Sequence, residues 1–239
     1  MNRAAFFDID GTLTEKPSLE LRYFRVLQRE GKLGLQNGIA WLAEAARLAA
    51  KGPTYVQHGN KAYLRGIRST GLRANRAADD APFFPEAVEC VARHARNGER
   101  IVILTGTLEF LADGIAEKLR AEMLKRNVAA EIHVCATRLE ESDGRWTGRL
   151  LGQPMFGEAK GIAVWWYAEK WKLNRAECSA YGDSGLDEWM LASVGKPVAA
   201  NPDSRLRATA LRQRWGIVSW AREVRPKKKL AKMVPESAR

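Results

Sequence analysis

Short runs of consecutive apolar residues alternate along this chain with stretches in which apolar positions recur every three to four residues. "AAFFDID" (4–10), "RIVILTG" (100–106), "EIHVCAT" (131–137), "CSAYGD" (178–183) and "KPVAAN" (196–201) have the length and content of strands. "RIVILTG" in particular is a continuous β-branched run, as expected of a parallel strand covered on both faces. Helical patterns lie between these runs. "PEAVECVARHARNG" places Pro85 at a helix start, Val88, Val91 and Ala95 on one face, and Gly98 as a stop. "EFLADGIAEKLRAEMLKR" puts Ile115, Leu119 and Met123 at i, i+4 and i+8, and "EAKGIAVWWYAEKW" and "DEWMLASVG" are also helical. "SDGRWTGRLLG" (142–152), with Asp-Gly and Thr-Gly steps, reads as a hairpin. Strand–helix alternation of this kind predicts an α/β fold with a doubly wound, Rossmann-like parallel sheet.

Residues 17–79 break the alternation. "LELRYFRVLQREG", "NGIAWLAEAARLAAKG" and "NKAYLRGIRS" all read as helix, interrupted at Gly31–Gly34, Gly52-Pro53 and Gly71. The segment is too long for a connecting loop and is expected to form a small lid-like helical domain. The expected organisation is therefore a core of residues 1–16 plus 80–222, a helical insertion of residues 17–79, and a basic tail of residues 223–239.

Charge sharpens that division. The chain carries a net +11, but residues 17–79 hold 11 Lys and Arg against 4 Asp and Glu, and residues 222–239 hold 7 against 2. The body between them is close to neutral. A basic insertion and a basic tail suggest an anionic substrate, with peripheral contact of the tail with an anionic membrane as a further expectation and nucleic acid disfavoured. Cys90, Cys135 and Cys178 lie far apart without a CxxC step, which argues against a disulfide framework. His58, His94 and His133 are equally scattered, which argues against zinc. "MNRAAFF" has no long apolar region, and the longest apolar run, "IAVWWYA" (162–168), is too short to span a bilayer. The expectation is a soluble cytoplasmic protein.

Chemistry gathers at the carboxyl ends of the expected strands, where open α/β sheets bind ligands. The first strand ends in Asp8 and Asp10, followed by Gly11 and Thr12. Like charges this close repel, unless a cation or a shared reaction lies between them. The second strand ends in "LTGT", where the Thr105 hydroxyl and the N–H groups of Gly106 and Thr107 are suited to phosphate oxygens. Lys160 lies near a helix start in "GEAKG", and the fourth strand ends in "GDSGLD", with Asp183 and Asp187. Hard oxygen donors with open positions suit Mg²⁺, which keeps waters and accepts substrate phosphate as a ligand. Asp8 and Asp183 would hold the ion, Lys160 would screen the negative charge, and a carboxylate nucleophile forming an aspartyl-phosphate becomes a coherent strategy. Taken singly, each residue also has a plainer reading: turn former for Asp8 and Asp10, helix cap for Thr105, first-turn acid for Asp187.

The four motifs "DIDGT", "LTGT", Lys160 in "GEAKG" and "GDSGLD", in this order, resemble the haloacid dehalogenase superfamily of phosphohydrolases. An insertion between the first two resembles that superfamily's type I cap, and residues 181–217 resemble its phosphoserine-phosphatase-like branch, subfamily IB. The resemblance implies Asp8 as nucleophile and Asp10 as general acid/base, lending its backbone carbonyl to Mg²⁺. It implies Asp183 as metal ligand, and Asp187 as support for the metal or for Lys160. Phosphate would be held by Thr12, Thr105, Gly106, Thr107 and Lys160. An acid at Asp10, where the related transport ATPases carry Thr, implies rapid hydrolysis and hence a phosphatase acting on a small anionic phosphomonoester, with a lipid phosphate as a variant. The alternative is a phosphate-binding or phospho-accepting module without efficient turnover. The chain departs from phosphoserine phosphatases at Pro17, where they carry a cap glutamate, and at Leu186, where they carry an asparagine. Glu15, just before the insertion, and Glu20, Arg65 and Arg68 within it are the residues that could set specificity instead.

Overall fold

The computed structural model of the protein describes residues 2–69 and 77–220; the expected break at Gly71 and the basic tail, 223–239, lie outside them. The apolar runs form one parallel sheet because both of its faces are covered. Its strands are β1 (Ala4–Phe7), β2 (Arg100–Leu108), β3 (Ile132–Thr137), β6 (Ser179–Gly182), β7 (Lys196–Ala200) and β8 (Gly216–Val218), in the spatial order β3-β2-β1-β6-β7-β8. Side chains alternate across it. Ala5, Phe7, Ile101 and Ile103 pack into the core on one face, whereas Ala4, Phe6, Val102 and Leu104 pack into that on the other. Such strands have no polar face to show, which is why they read as unbroken apolar runs.

The first core receives α3 (Pro85–Arg96), through Val88 and Val91, and α4 (Glu109–Lys125), through Ile115, Leu119 and Met123. The second receives α5 (Glu158–Trp171), α6 (Glu188–Ala192) and α7 (Ser204–Gln213), through Val164, Leu191 and Leu206. Gly161 of α5 lets α6 approach closely, since a Cβ there would stand 3.2 Å from the Trp189 backbone oxygen. Trp165, Trp166 and Trp189 face outward rather than building the core. The three cysteines are free thiols. No helix among the described residues is long and apolar enough to cross a membrane.

The insertion begins with α1 (Leu19–Arg29), whose Leu19, Tyr23 and Leu27 are buried at i, i+4 and i+8, and continues into α2 (Leu35–Leu48). "NKAYLRGIRS" departs from the helical expectation. Only Ala62–Leu64 make a helical turn; Gly66 then adopts φ +80°, and the chain runs extended. The reason lies in a hairpin elsewhere in the sequence, β4 (Leu139–Ser142) and β5 (Arg145–Leu150). Its Asp143–Gly144 turn has positive φ at both residues, which matches strand twist. β5 offers backbone partners to residues 66 and 67: Gly66 N–H donates to Trp146 O and Trp146 N–H to Ile67 O, both at 2.8 Å. The hairpin is thus bound to the insertion.

Candidate active site

Chain order reverses between β1 and β6, which are neighbours in the sheet although β2 to β5 separate them in sequence. At such a switch point the loops following the two strands diverge and leave a crevice at their carboxyl ends. A cavity of about 500 Å³ lies there. Asp8, Asp10, Thr105, Gly106, Thr107, Lys160, Asp183 and Asp187 all line it, and so does Glu20 from the insertion. Thr12, Glu15, Arg65 and Arg68 do not. Thr12 is fully buried, and its hydroxyl has no hydrogen-bond partner among the described residues. Arg65 and Arg68 are exposed, on the extended segment beside the hairpin.

Lys160 links two loops. Its Nζ donates to Asp8 Oδ1 at 2.6 Å and to Asp187 Oδ1, with all three side chains buried. Asp187 is occupied on its other oxygen too, since Oδ2 accepts from the N–H groups of Asp183 and Ser184 and from the Ser184 hydroxyl. It therefore organises the loop that carries Asp183. Gly182 permits this, because a Cβ there would stand 2.4 Å from Asp187 Cβ.

Asp10 is held from two directions. Its Oδ1 accepts the first N–H of α1, from Leu19 at 2.8 Å, and its Oδ2 accepts the Thr107 hydroxyl at 2.6 Å. The Thr107 N–H in turn donates to Thr105 Oγ1 at 3.2 Å. Thr107 therefore serves Asp10 through its side chain, a role the sequence pattern did not suggest. Gly11 takes φ +88° and lies so close to Asp183 that a Cβ would fall 2.2 Å from Oδ2. The Asn201 amide donates to Gly11 O at 3.2 Å and fixes this turn.

The electrostatics are those of crowded acids in a dry place. Burial raises the carboxyl of Asp8 to about 8, assisted by Asp187, Asp183 and Asp10 and opposed by Lys160. Asp183 is raised to about 6, chiefly by burial and then by Asp187. Burial also raises Asp10, against the hydrogen bonds from Thr107 and Leu19. Lys160 moves upward, because the charges of Asp187 and Asp8 outweigh its own burial. The site thus favours additional positive charge. Two residues missed in the sequence supply some of it. Lys16 places Nζ 2.8 Å from Asp183 Oδ2, and buried Lys61 pairs with Glu20 inside the cavity wall. Neither lies in a motif, and only their spatial partners mark them out.

The donor set fits a hard divalent cation. Asp8, Asp183 and Asp187 bring one carboxylate oxygen each within 4.8 Å of one another. Asp8 and Asp183 are the better placed to bind it, because Asp187 is already saturated. Both side-chain oxygens of Asp10 are also engaged, and that residue is absent from the group. A few carboxylates with room for water and phosphate are what Mg²⁺ accepts.

A family model described as haloacid dehalogenase-like hydrolase matches residues 5–192. Phosphoserine phosphatase SerB1 of Mycobacterium tuberculosis (strain ATCC 25618 / H37Rv) is 30% identical over 250 aligned residues, spanning 100% of this chain and 76% of that protein. The Inhibition of morphological differentiation protein of Streptomyces azureus is 28% identical across 95% of this chain and 82% of its own length. Among solved structures, a protein of unknown function from Bordetella pertussis Tohama I superposes with a TM-score of 0.71 at 25% identity, covering 91% of this chain and 98% of that one. The probable phosphoserine phosphatase from Vibrio cholerae shares the fold, with a TM-score of 0.66 at 19% identity over 92% of this chain and 61% of that one. The chain belongs to the haloacid dehalogenase-like hydrolase family, and within it is similar to the phosphoserine phosphatases.

Proposed function

We propose that this phosphatase hydrolyses phosphomonoesters through a covalent phosphate on Asp8, with Mg²⁺ as its cofactor. The observation that carries the reading is the placement of Asp10. It lies two residues from Asp8, is held by Thr107 and Leu19, and is shifted by burial toward holding a proton. That is the condition of a general acid.

In the first step a carboxylate oxygen of Asp8 attacks phosphorus, the bond from phosphorus to the ester oxygen breaks, and Asp10 gives its proton to the departing alkoxide. In the second step Asp10 takes a proton from water, the water oxygen attacks phosphorus, and the Asp8–phosphate bond breaks to release inorganic phosphate. Lys160 holds Asp8 in line and balances charge as the dianion arrives. Mg²⁺, held by Asp8 and Asp183, would neutralise phosphate oxygens in both steps. Thr105 and the Gly106 backbone are on hand for the transferring group. Residues 17–79 would act as a cap over this core, with the β4–β5 hairpin bound to it.

In the wall of the cavity buried Lys61 pairs with half-buried Glu20. A charged group on the leaving alcohol, such as the amino-acid portion of phosphoserine, would have to join or displace that pair. The test is phosphate release from a panel of phosphomonoesters, with and without Mg²⁺, by the wild type and Asp8→Asn. Release that requires both Mg²⁺ and Asp8 supports the reading. Release that persists in Asp8→Asn overturns it.

A further inference from the structure

The catalytic cavity continues into a second space inside the insertion. Ser18, Glu20, Gln57 and His58 line both, so the two share a wall. The second space is a cleft of about 720 Å³ between α1 and α2, walled by Leu21, Phe24, Leu33, Trp41 and Tyr63. The side-chain amides of Asn37 and Asn60 in its wall are consumed. Asn37 Nδ2 donates to the carbonyls of Tyr63 and Arg65 at 2.9 and 3.0 Å, and its Oδ1 accepts the Gly34 N–H at 3.0 Å. Asn60 Nδ2 donates to Trp41 O at 2.9 Å, and its Oδ1 accepts the Ala62 N–H at 3.1 Å. At the junction, burial and the charge of Lys61 lower His58, against the charge of Glu20. Beyond Gln57 and His58 at the junction, the wall's amides are already paired and it offers a guest mainly apolar area, where a polar guest would lose water without recovering hydrogen bonds.

The cleft is also open where a chain would lie. Gly38 of α2 lines it, and a Cβ there would meet nothing within 4 Å. The apolar surface extends onto the outer face of α2, where Leu35, Ile39 and Leu42 follow helical spacing and are 82%, 57% and 63% exposed. Phosphate chemistry at one end and unpolarised walls at the other define an amphiphile.

We propose that this cleft binds the apolar part of the substrate, so that the enzyme acts on phosphomonoesters carrying an alkyl or acyl chain. The phosphate sits at Asp8 and the chain lies between α1 and α2. The inference rests on the phosphomonoesterase reading above and adds the other end of the substrate.

The test is a ladder of alkyl phosphates from methyl to decyl, each below its micellar concentration, with phosphoserine as the small polar comparison. For the wild type with Mg²⁺, kcat/KM should rise with chain length by up to about fourfold per buried methylene until the cleft is filled. Gly38→Leu places a side chain in the cleft and removes a helix-interior glycine, so it should fold well. It should flatten the ladder, lowering the octyl-to-methyl ratio of kcat/KM at least tenfold; Trp41→Ala should flatten it less. Calorimetric titration of wild type and Gly38→Leu with octyl and methyl phosphate reads the cleft without turnover. Preferential octyl binding that Gly38→Leu removes supports the cleft even if no ester is hydrolysed, in which case only the catalytic reading fails. Turnover or binding with no dependence on chain length in the wild type overturns the cleft and leaves the phosphatase reading intact. Presenting a long-chain ester in phosphatidylcholine vesicles as well as in monomeric form separates the sources. Hydrolysis from both assigns the chain to a membrane lipid, and hydrolysis of the monomer alone assigns it to a dissolved ester.

Discussion

The hydroxyl of Thr107, at the end of β2, donates to Asp10 Oδ2 at 2.6 Å, across 97 positions of sequence. That bond aims the proposed general acid, and its removal should show in the chemistry of the leaving group. Thr107→Val should lower kcat for alkyl phosphates by about 10- to 100-fold, a fraction of the roughly 10²- to 10⁴-fold that general acid catalysis supplies. The loss should be much smaller for 4-nitrophenyl phosphate, whose leaving group needs no proton. Thr107→Ser should restore most of the activity. An equal loss on both esters would mean that Thr107 only supports the fold.

Lys160 is the charge that makes the acid cluster tolerable. With Nζ shared between Asp8 and Asp187 and all three residues buried, Lys160→Met would strand two carboxylates in a dry site. Removing one partner of a buried ion pair destabilises by about 3–5 kcal/mol. Urea unfolding of Lys160→Met at neutral pH in EDTA should show a loss of that order. Adding Asp187→Asn should recover part of it, since residues in one network are not additive. A loss below about 1 kcal/mol would show that the carboxylates had simply taken up protons.

Mg²⁺ should stabilise the folded chain apart from any turnover, because only the folded state brings Asp8 and Asp183 together. At a hundredfold excess over its dissociation constant, a ligand of the native state adds about 2.7 kcal/mol. Thermal unfolding should therefore move upward on adding Mg²⁺ to EDTA-treated protein, and Asp183→Asn should remove most of that shift. Lys16 competes for the same carboxylate at 2.8 Å. Lys16→Gln should accordingly lower the Mg²⁺ concentration that gives half the effect. No movement of the wild type at millimolar Mg²⁺ would end the cofactor reading.

What the sequence disclosed and what it hid follow from range. β1 and β2 were legible because strands covered on both faces leave an apolar run with no alternation. The gathering of Asp8, Asp10, Lys160 and Asp183 in one crevice was legible because acids at the ends of such strands demand a compensating charge. Residues 60–69 were read as helix because their local composition allows it, and the competing partner, β5, lies about eighty residues away. The role of Thr107, the Glu20–Lys61 pair and the Lys16–Asp183 contact were hidden for the same reason, since each depends on a residue no local window contains. β8 was missed because it has only three residues, with an exposed or half-buried pattern.

A buried histidine outside the acid cluster of Asp8, Asp183 and Asp187 should give the fold a measurable acid sensitivity. The His94 ring bridges Glu99 through Nδ1 and the Tyr181 hydroxyl through Nε2, both at 2.8 Å. Burial lowers its pKa and outweighs the attraction of Glu99; Arg93 and Lys196 push it the same way, and Arg3 stands 3.9 Å from Glu99. An unfolded histidine takes up its proton near pH 6.5. The unfolded state therefore binds the proton first as pH falls. The stabilisation from neutral His94 is complete above about pH 6.5 and is lost as pH falls through the lower native value. One proton limits the slope to about 1.4 kcal/mol per pH unit. Denaturant unfolding between pH 8 and pH 5 should show this loss in the wild type. His94→Gln keeps hydrogen-bonding capacity without titrating, so it should be less stable at pH 8 but flatter across the range. Parallel pH curves for the two proteins would place the acid sensitivity elsewhere in the chain.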